Sequence, residues 1–185
     1  MKLLGMDKKE QQILLGIPVL FLLGFAVHFL YELSGRQMLV GFFAPVNESV
    51  WEHLKLVLWP MLLWWAVYYI RVAQRREIDA SAWFMGAFLA LISAQSSIVL
   101  LFYFLQGAFG VESVIADIII FFLAVLLGQC VGLRQYHRGS SVSWMVPLLL
   151  IMGLLVLSIV FTLVPPDAPL FRDPNTGLRG IFAIS

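Results

Sequence analysis

The sequence predicts an all-α integral membrane protein, built as a bundle of five transmembrane helices. Of its 185 residues, 61% are hydrophobic and 12% are charged, whereas soluble domains are about 45–50% apolar and about 25% charged. A soluble fold of this size could not cover so much apolar surface, so lipid must cover part of it. The apolar residues also fall into five runs of about 20 residues, the length that crosses a bilayer as a helix.

The five runs give the approximate limits of each span within a single transmembrane domain, residues 1–185. We expect helices at about residues 13–34, 50–70, 82–107, 113–133 and 143–164, followed by a tail at 165–185. The first run is longer than the apolar core of a signal peptide and no Ala-x-Ala site follows it, so we interpret it as an uncleaved span. The last run has no charged residue from Met145 to Val164, which favours a true crossing.

Small residues at helical spacing predict where two of the helices pack closely. They are Gly86, Ala90 and Ala94 on the third span and Gly128 and Gly132 on the fourth. Such small-xxx-small patterns let helix backbones approach each other in lipid.

The basic residues of the short loops predict the orientation. One side would carry eight of them: Lys2, Lys8, Lys9, Arg71, Arg75, Arg76, Arg134 and Arg138. The other side would carry four: Arg36, Lys55, Arg172 and Arg179. This asymmetry predicts a cytoplasmic N-terminus and a C-terminal tail outside. The net charge of +1 and the lack of a basic stripe argue against a nucleic-acid partner, and leave membrane lipid as the expected surroundings.

Ionisable and polar residues from four predicted helices lie at one depth near the outer surface. They are His28 and Glu32 on the first helix, Glu48, Glu52 and His53 at the second, Tyr103 on the third and Asp117 on the fourth. Polar residues inside a span normally face the bundle interior, find partners and mark a functional site. Imidazole nitrogen with carboxylate oxygen is a normal ligand set for zinc, and it also suits manganese or iron.

We therefore predict a divalent metal, with zinc among the candidates, held by His28, His53 and Asp117. Glu52 or Glu48 would supply the fourth group and act as general base for a metal-bound water. The substrate would be a lipid or a cell-envelope intermediate, because the site faces the outer leaflet. Glu52 and His53 project about 100° apart on a helix, so Glu48 can join His53 only if the helix begins after Glu48.

Other interpretations stay open for the same residues. Ser49 and Glu52 match a capping box, and Glu52 could instead pair with Lys55 three residues later. His28 and His53 could each be hydrogen-bonded only, or could ligate haem. An acidic outer vestibule could lead into a transport path; the mid-membrane polar residues that would continue it are Ser93, Gln95, Ser96 and Ser97. A structural or partner-binding membrane protein is the remaining class.

The tail carries turn-forming residues rather than the composition of a flexible end. Its prolines are at 165, 166, 169 and 174, with a glycine at 177, and such residues fix tight turns. The tail could fold back onto the bundle as a lid through its apolar residues Leu170, Phe171, Leu178, Ile181 and Phe182. Asp173 could then reach the polar cluster. Alternatively, the tail rests on the membrane interface.

Two stretches carry a family resemblance. They are Asn-Glu-Ser-Val-Trp-Glu-His-Leu-Lys at 47–55 and Pro-Pro-x-x-Pro-Leu-Phe-x-Asp-Pro-x-Thr-Gly at 165–177. With His-Phe-Leu-Tyr-Glu at 28–32, they resemble a family of small bacterial polytopic membrane proteins of unknown function. The resemblance implies a multi-pass protein of the bacterial inner membrane and transfers no activity. The zincin, nucleophile-elbow and P-loop motifs are absent from the sequence.

Overall fold

The computed structural model describes residues 7–73 and 78–181, and within them every named element is helical. The helices are α1 (Lys8–His28), α2 (Leu30–Leu33), α3 (Met38–Gly41), α4 (Val50–His53), α5 (Lys55–Ala73), α6 (Ala80–Phe109), α7 (Val114–Arg138) and α8 (Met145–Leu163), with a 3₁₀ turn at Pro169–Phe171. Five helical segments are long and apolar enough to cross a membrane, with α4 and α5 counting as one segment, Val50–Arg71. The prediction of a five-helix membrane protein is confirmed. The predicted basic residues Lys2, Arg75 and Arg76, and the apolar Phe182 of the tail, lie outside the described residues.

Several helices extend beyond the apolar runs that predicted them. α1 begins at Lys8 because Asp7 and Glu10 form a capping box, in which each side chain accepts a backbone N–H of the other residue. α7 continues to Arg138 and stops at Gly139, whose φ of 73° only glycine adopts without strain. Hydropathy marks the part of a helix that lipid covers, whereas the caps decide where the helix itself ends.

α6 and α7 pack closely through their small residues, as predicted. A Cβ atom added to Gly128 would lie 2.7 Å from the Ala90 carbonyl oxygen and 2.9 Å from the Ala94 Cβ. A Cβ atom added to Gly132 would lie 2.9 Å from the Ala90 Cβ. Ala90 and Ala94 are completely buried, so the two backbones are in contact and no larger side chain fits between them.

The buried side-chain amide of Gln129 links three spans in the interior of the bundle by hydrogen bonds. Gln129 of α7 accepts a hydrogen bond from Trp65 Nε1 of α5 at 2.9 Å and donates one to the Ile13 carbonyl of α1 at 2.8 Å. The Trp65 ring also packs against Trp83 of α6 in a tilted arrangement, with 4.6 Å between ring centroids. In a medium without water, a satisfied amide of this kind holds helices in one register.

The tail folds back onto the end of the bundle where α1 and α8 finish and α4 begins, which we call the site end. Phe171 is buried against Trp51 of α4 and Phe161 of α8, with ring centroids 4.9 Å and 5.3 Å away. The Ile181 backbone N–H donates to the Thr162 carbonyl at 3.0 Å. Of the two expectations for the tail, the structure therefore has the one in which it packs on the bundle.

Candidate metal site

The two histidines predicted from their common depth meet at the site end. His28 is the last residue of α1 and His53 is the last residue of α4, and their Nε2 atoms are 3.2 Å apart. Glu48 Oε2 lies 3.4 Å from His53 Nε2 and 3.8 Å from His28 Nε2. Each residue thus points one ligand atom at a common centre, and the three ligand atoms lie within 4.8 Å of one another.

The local sequence explains how Glu48 reaches this centre. α4 begins at Val50 with Ser49 as its N-cap, and the Ser49 hydroxyl accepts the Glu52 backbone N–H at 3.4 Å. The Asn47 side chain in turn accepts the Ser49 backbone N–H at 2.9 Å. Glu48 therefore precedes the helix. Its direction is not fixed by the 100° step that separates Glu52 from His53 on the helix, so its side chain can lie beside His53.

A backbone carbonyl sets the tautomer of His53 when its ring is neutral. The Nδ1 atom lies 2.9 Å from the Ser49 carbonyl oxygen, and because a carbonyl can only accept, Nδ1–H donates to it. The Nε2 lone pair of the neutral ring then faces His28 and Glu48. Metal-binding histidines are oriented in this way, with the other ring nitrogen donating to a carbonyl or a carboxylate. His28 Nδ1 is buried and has no hydrogen-bond partner within the described part of the chain.

Glu48 is poised to stay charged. A hydrogen bond with His53, which donates Nε2–H when the ring is protonated, lowers the pKa of the Glu48 carboxyl below its ordinary value, and this effect outweighs the opposing effect of burial. The carboxylate is the form that binds metal ions. The Glu48 side chain is 48% exposed and the two imidazoles are 29% and 27% exposed, so an ion has a path to the three atoms.

Asp117 lies beside this group without being one of its three members. It is an exposed residue in the first turn of α7, and its carboxylate interacts electrostatically with both His53 and Glu48. Among the described residues, the atoms close enough to share one ion are those of His28, Glu48 and His53. The structure thus places Glu48 where the sequence had suggested Asp117, and it places Asp117 in an adjoining position.

Glu52 turns away from the group of His28, Glu48 and His53 and links several segments at the site end. Its Oε2 accepts hydrogen bonds from Lys55 Nζ at 2.5 Å and from the Val46 backbone N–H at 3.0 Å. Its Oε1 accepts the Thr162 hydroxyl at 3.2 Å. Glu52 and Lys55 are both only 1% exposed. The pairing with Lys55, which the sequence left open, is observed through Oε2, and Oε1 has its own partner in Thr162.

The other three candidates lie apart from this group. Glu32 is exposed and pairs with Arg36 at 3.0 Å. Tyr103 is 37% exposed on α6. Asp173 is buried in the tail and accepts the Asn175 backbone N–H at 2.8 Å, which shapes the turn. None of the three contributes an atom to the group of His28, Glu48 and His53.

Fold and site together define a multi-pass membrane protein with a histidine–glutamate group that could hold a metal ion at one end of its helix bundle. The chain belongs to a family described as a family of unknown function, DUF6512, which matches residues 1–181. This agrees with the resemblance drawn from the 47–55 and 165–177 stretches. Comparison with curated proteins and with solved structures gave no match.

Proposed function

We propose that this protein binds one divalent transition-metal ion through His28 Nε2, His53 Nε2 and Glu48 Oε2. The observation that carries the proposal is the spacing of these atoms, 3.2, 3.4 and 3.8 Å. A tetrahedral ion with bonds of about 2.0–2.1 Å holds its ligands about 3.3 Å apart. Two imidazoles and one carboxylate also form the ligand set of catalytic zinc sites that keep a fourth position open.

The site would serve as the centre of a metal-dependent enzyme in the bacterial inner membrane. With the N-terminus cytoplasmic, as the basic loops predict, the ion would lie at the outer face and meet lipid or cell-envelope substrates. A metal ion in such a site lowers the pKa of a bound water to about 7. Asp117, which interacts electrostatically with His53 and Glu48, would take the proton or complete the ligand set.

Two of the competing functions are less well supported by the geometry. Haem ligation needs the two imidazole nitrogens on opposite faces of a porphyrin, whereas the two Nε2 atoms are 3.2 Å apart with Glu48 beside both. A transport path through the serines of α6 would have no charged residue of that helix beside it, because α6 carries none from Ala80 to Phe109. Ser97 Oγ also donates to the Ser93 carbonyl of its own helix at 2.7 Å.

Metal analysis of the purified full-length protein tests the proposal. After incubation with zinc and removal of the excess ion, we expect about one zinc ion per wild-type chain. Inductively coupled plasma mass spectrometry measures this ratio. His28→Ala and His53→Ala should each lose that ion. His137→Ala is the matched control, because His137 is paired with Glu10 at 3.1 Å and lies at the end of α7 away from the three ligands. A wild-type chain without metal, or unchanged metal content in both ligand variants, would overturn the proposal.

A further inference from the structure

The loop that carries Glu48 is linked to the C-terminal tail by the side chain of Asn47, which is only 7% exposed. The Asn47 Nδ2 atom donates a hydrogen bond to the Gly180 carbonyl oxygen at 3.0 Å, and Oδ1 accepts the Ser49 backbone N–H at 2.9 Å. A carbonyl can only accept and a backbone N–H can only donate, so both bonds require the same orientation of the amide. One buried side chain therefore connects two segments that lie 133 residues apart in the chain.

The residues that follow Asn47 belong to the proposed metal site. Glu48 is the next residue, and the Ser49 carbonyl oxygen lies 2.9 Å from His53 Nδ1. Glu48 precedes the helix and its side chain is 48% exposed, so the backbone at 47–49 decides where its carboxylate lies. Asn47 bonds that backbone at Ser49 and thereby holds the loop in one conformation.

The tail around Gly180 fits closely against the end of α8. The Ile181 backbone N–H donates to the Thr162 carbonyl oxygen at 3.0 Å, and a Cβ atom added to Gly180 would lie 2.7 Å from the same oxygen. Ile181 also packs against a buried cluster that includes Val46, the residue before Asn47. The docked tail therefore holds the Gly180 carbonyl in place for its bond with Asn47.

We propose that Asn47 is a positioning residue for the metal site and that the docked tail holds Asn47 through the Gly180 carbonyl. Docking of the tail then places Glu48 beside His28 and His53 before the ion arrives, and a preorganised site binds more tightly. Such coupling is reciprocal, so the bound ion stabilises the docked tail by the same factor. This inference rests on the proposed metal site and gives the tail a regulatory role in it.

The zinc affinity of the full-length protein, measured by competition with a fluorescent chelator, tests the inference. Gly180→Ala brings a methyl group to 2.7 Å from the Thr162 carbonyl oxygen, so the backbone at Gly180 must shift, and with it the carbonyl that Asn47 contacts. We expect the zinc affinity to fall about threefold to tenfold, the range for the loss of one hydrogen bond.

Gly177→Ala is the matched control in the same tail. The φ angle is 71° at Gly177 and 66° at Gly180, so alanine is strained to a similar degree at both positions. A Cβ atom at Gly177 would meet no atom within 4 Å. The Gly177→Ala protein should therefore bind zinc within about twofold of wild type, the variation usual for independent sites.

Hydrogen exchange of the tail amides separates positioning from a merely structural role. Asn47→Ala removes both hydrogen bonds and should lower the zinc affinity at least as much as Gly180→Ala does. Zinc should slow exchange in the wild-type tail, including the Ile181 N–H, and should slow it less in Asn47→Ala because the link to the site is lost. A residue with only a structural role would speed exchange equally with and without zinc and leave the zinc affinity unchanged.

The outcomes distinguish this inference from the metal site itself. If the wild type binds zinc and Gly180→Ala binds it as tightly as Gly177→Ala, the inference is overturned while the metal site stands. A wild-type chain that binds no zinc overturns both. If Asn47→Ala does not fold, the two glycine variants still decide, together with the exchange of the wild-type tail with and without zinc.

Discussion

The Nδ1 atom of His53 lies 2.9 Å from the carbonyl oxygen of Ser49, one helical turn earlier. Ser49 therefore makes two contacts in this helix. Its hydroxyl caps the helix start, and its carbonyl oxygen bonds the imidazole of His53. The helix start and the orientation of His53 are thus set by the same residue. Such a carbonyl partner raises the basicity of a ligating imidazole and holds its ring in place.

Glu48→Gln should weaken metal binding without disturbing the fold. The amide keeps the size of the side chain but removes the charge that neutralises the ion. Because losing even an outer hydrogen-bond partner of a ligand costs about 10-fold to 100-fold in affinity, we expect at least that loss here. Competition titration with a fluorescent zinc chelator would measure it.

Glu32→Gln is the matched control for that measurement. Glu32 is an exposed carboxylate nearby in the chain whose partner is Arg36, so its neutralisation should leave zinc affinity within about twofold of wild type, since surface charges contribute little to such sites. Equal affinities in wild type and Glu48→Gln would exclude Glu48 as a ligand.

Lys55→Met should destabilise the site end strongly. Lys55 Nζ is buried and donates to Glu52 at 2.5 Å and to the Gly41 carbonyl at 2.6 Å. Removing one partner of a buried ion pair leaves an unpaired charge and costs about 3–5 kcal/mol. We expect a lowered midpoint in thermal or SDS-induced unfolding, followed by tryptophan fluorescence.

The double variant Glu52→Gln/Lys55→Met tests whether the unpaired charge of Glu52 causes the loss of stability in Lys55→Met. It removes both charges, so it should recover part of the stability that Lys55→Met loses. Arg36→Met, which breaks the exposed pair with Glu32, should change the midpoint little. A Lys55→Met protein as stable as wild type would mean that the buried pair contributes nothing to the free energy of unfolding.

The spans could be predicted from sequence because lipid demands continuous apolar runs, and the meeting of His28 with His53 could be predicted from their common depth. The role of Glu52 could not. A carboxylate at a helix start can cap, pair or bind a metal. Here the role is decided by the hydrogen bonds that Glu52 accepts from Val46 and Thr162. Thr162 is 110 residues away in the chain, so only the folded structure brings it to Glu52. The position of Glu48 could be predicted, because the capping-box pattern of Ser49 and Glu52 starts the helix after Glu48.

The orientation can be tested by thiol labelling in intact bacterial cells that produce the protein. In a Cys130→Ser background, which removes the chain's one cysteine, Asn175→Cys should react with a membrane-impermeant maleimide. Ser141→Cys should react only after the membrane is permeabilised. Both positions are exposed, so access to the reagent decides the result. The reverse pattern would place the site at the cytoplasmic face and would exclude an envelope substrate.

Gly128→Ala should loosen the contact between α6 and α7. The added Cβ would lie 2.7 Å from the Ala90 carbonyl oxygen, and a backbone atom of a long helix cannot shift alone, so the helices must separate. Overpacking of this kind costs about 1–3 kcal/mol.

Gly153→Ala on α8 is the control, because its Cβ would meet no atom within 4 Å and alanine favours the helix. We expect a lowered unfolding midpoint for the first variant and an equal or higher one for the second. Equal midpoints for Gly128→Ala and wild type would mean that the two helices can separate at no cost, so that close backbone contact does not hold this bundle together.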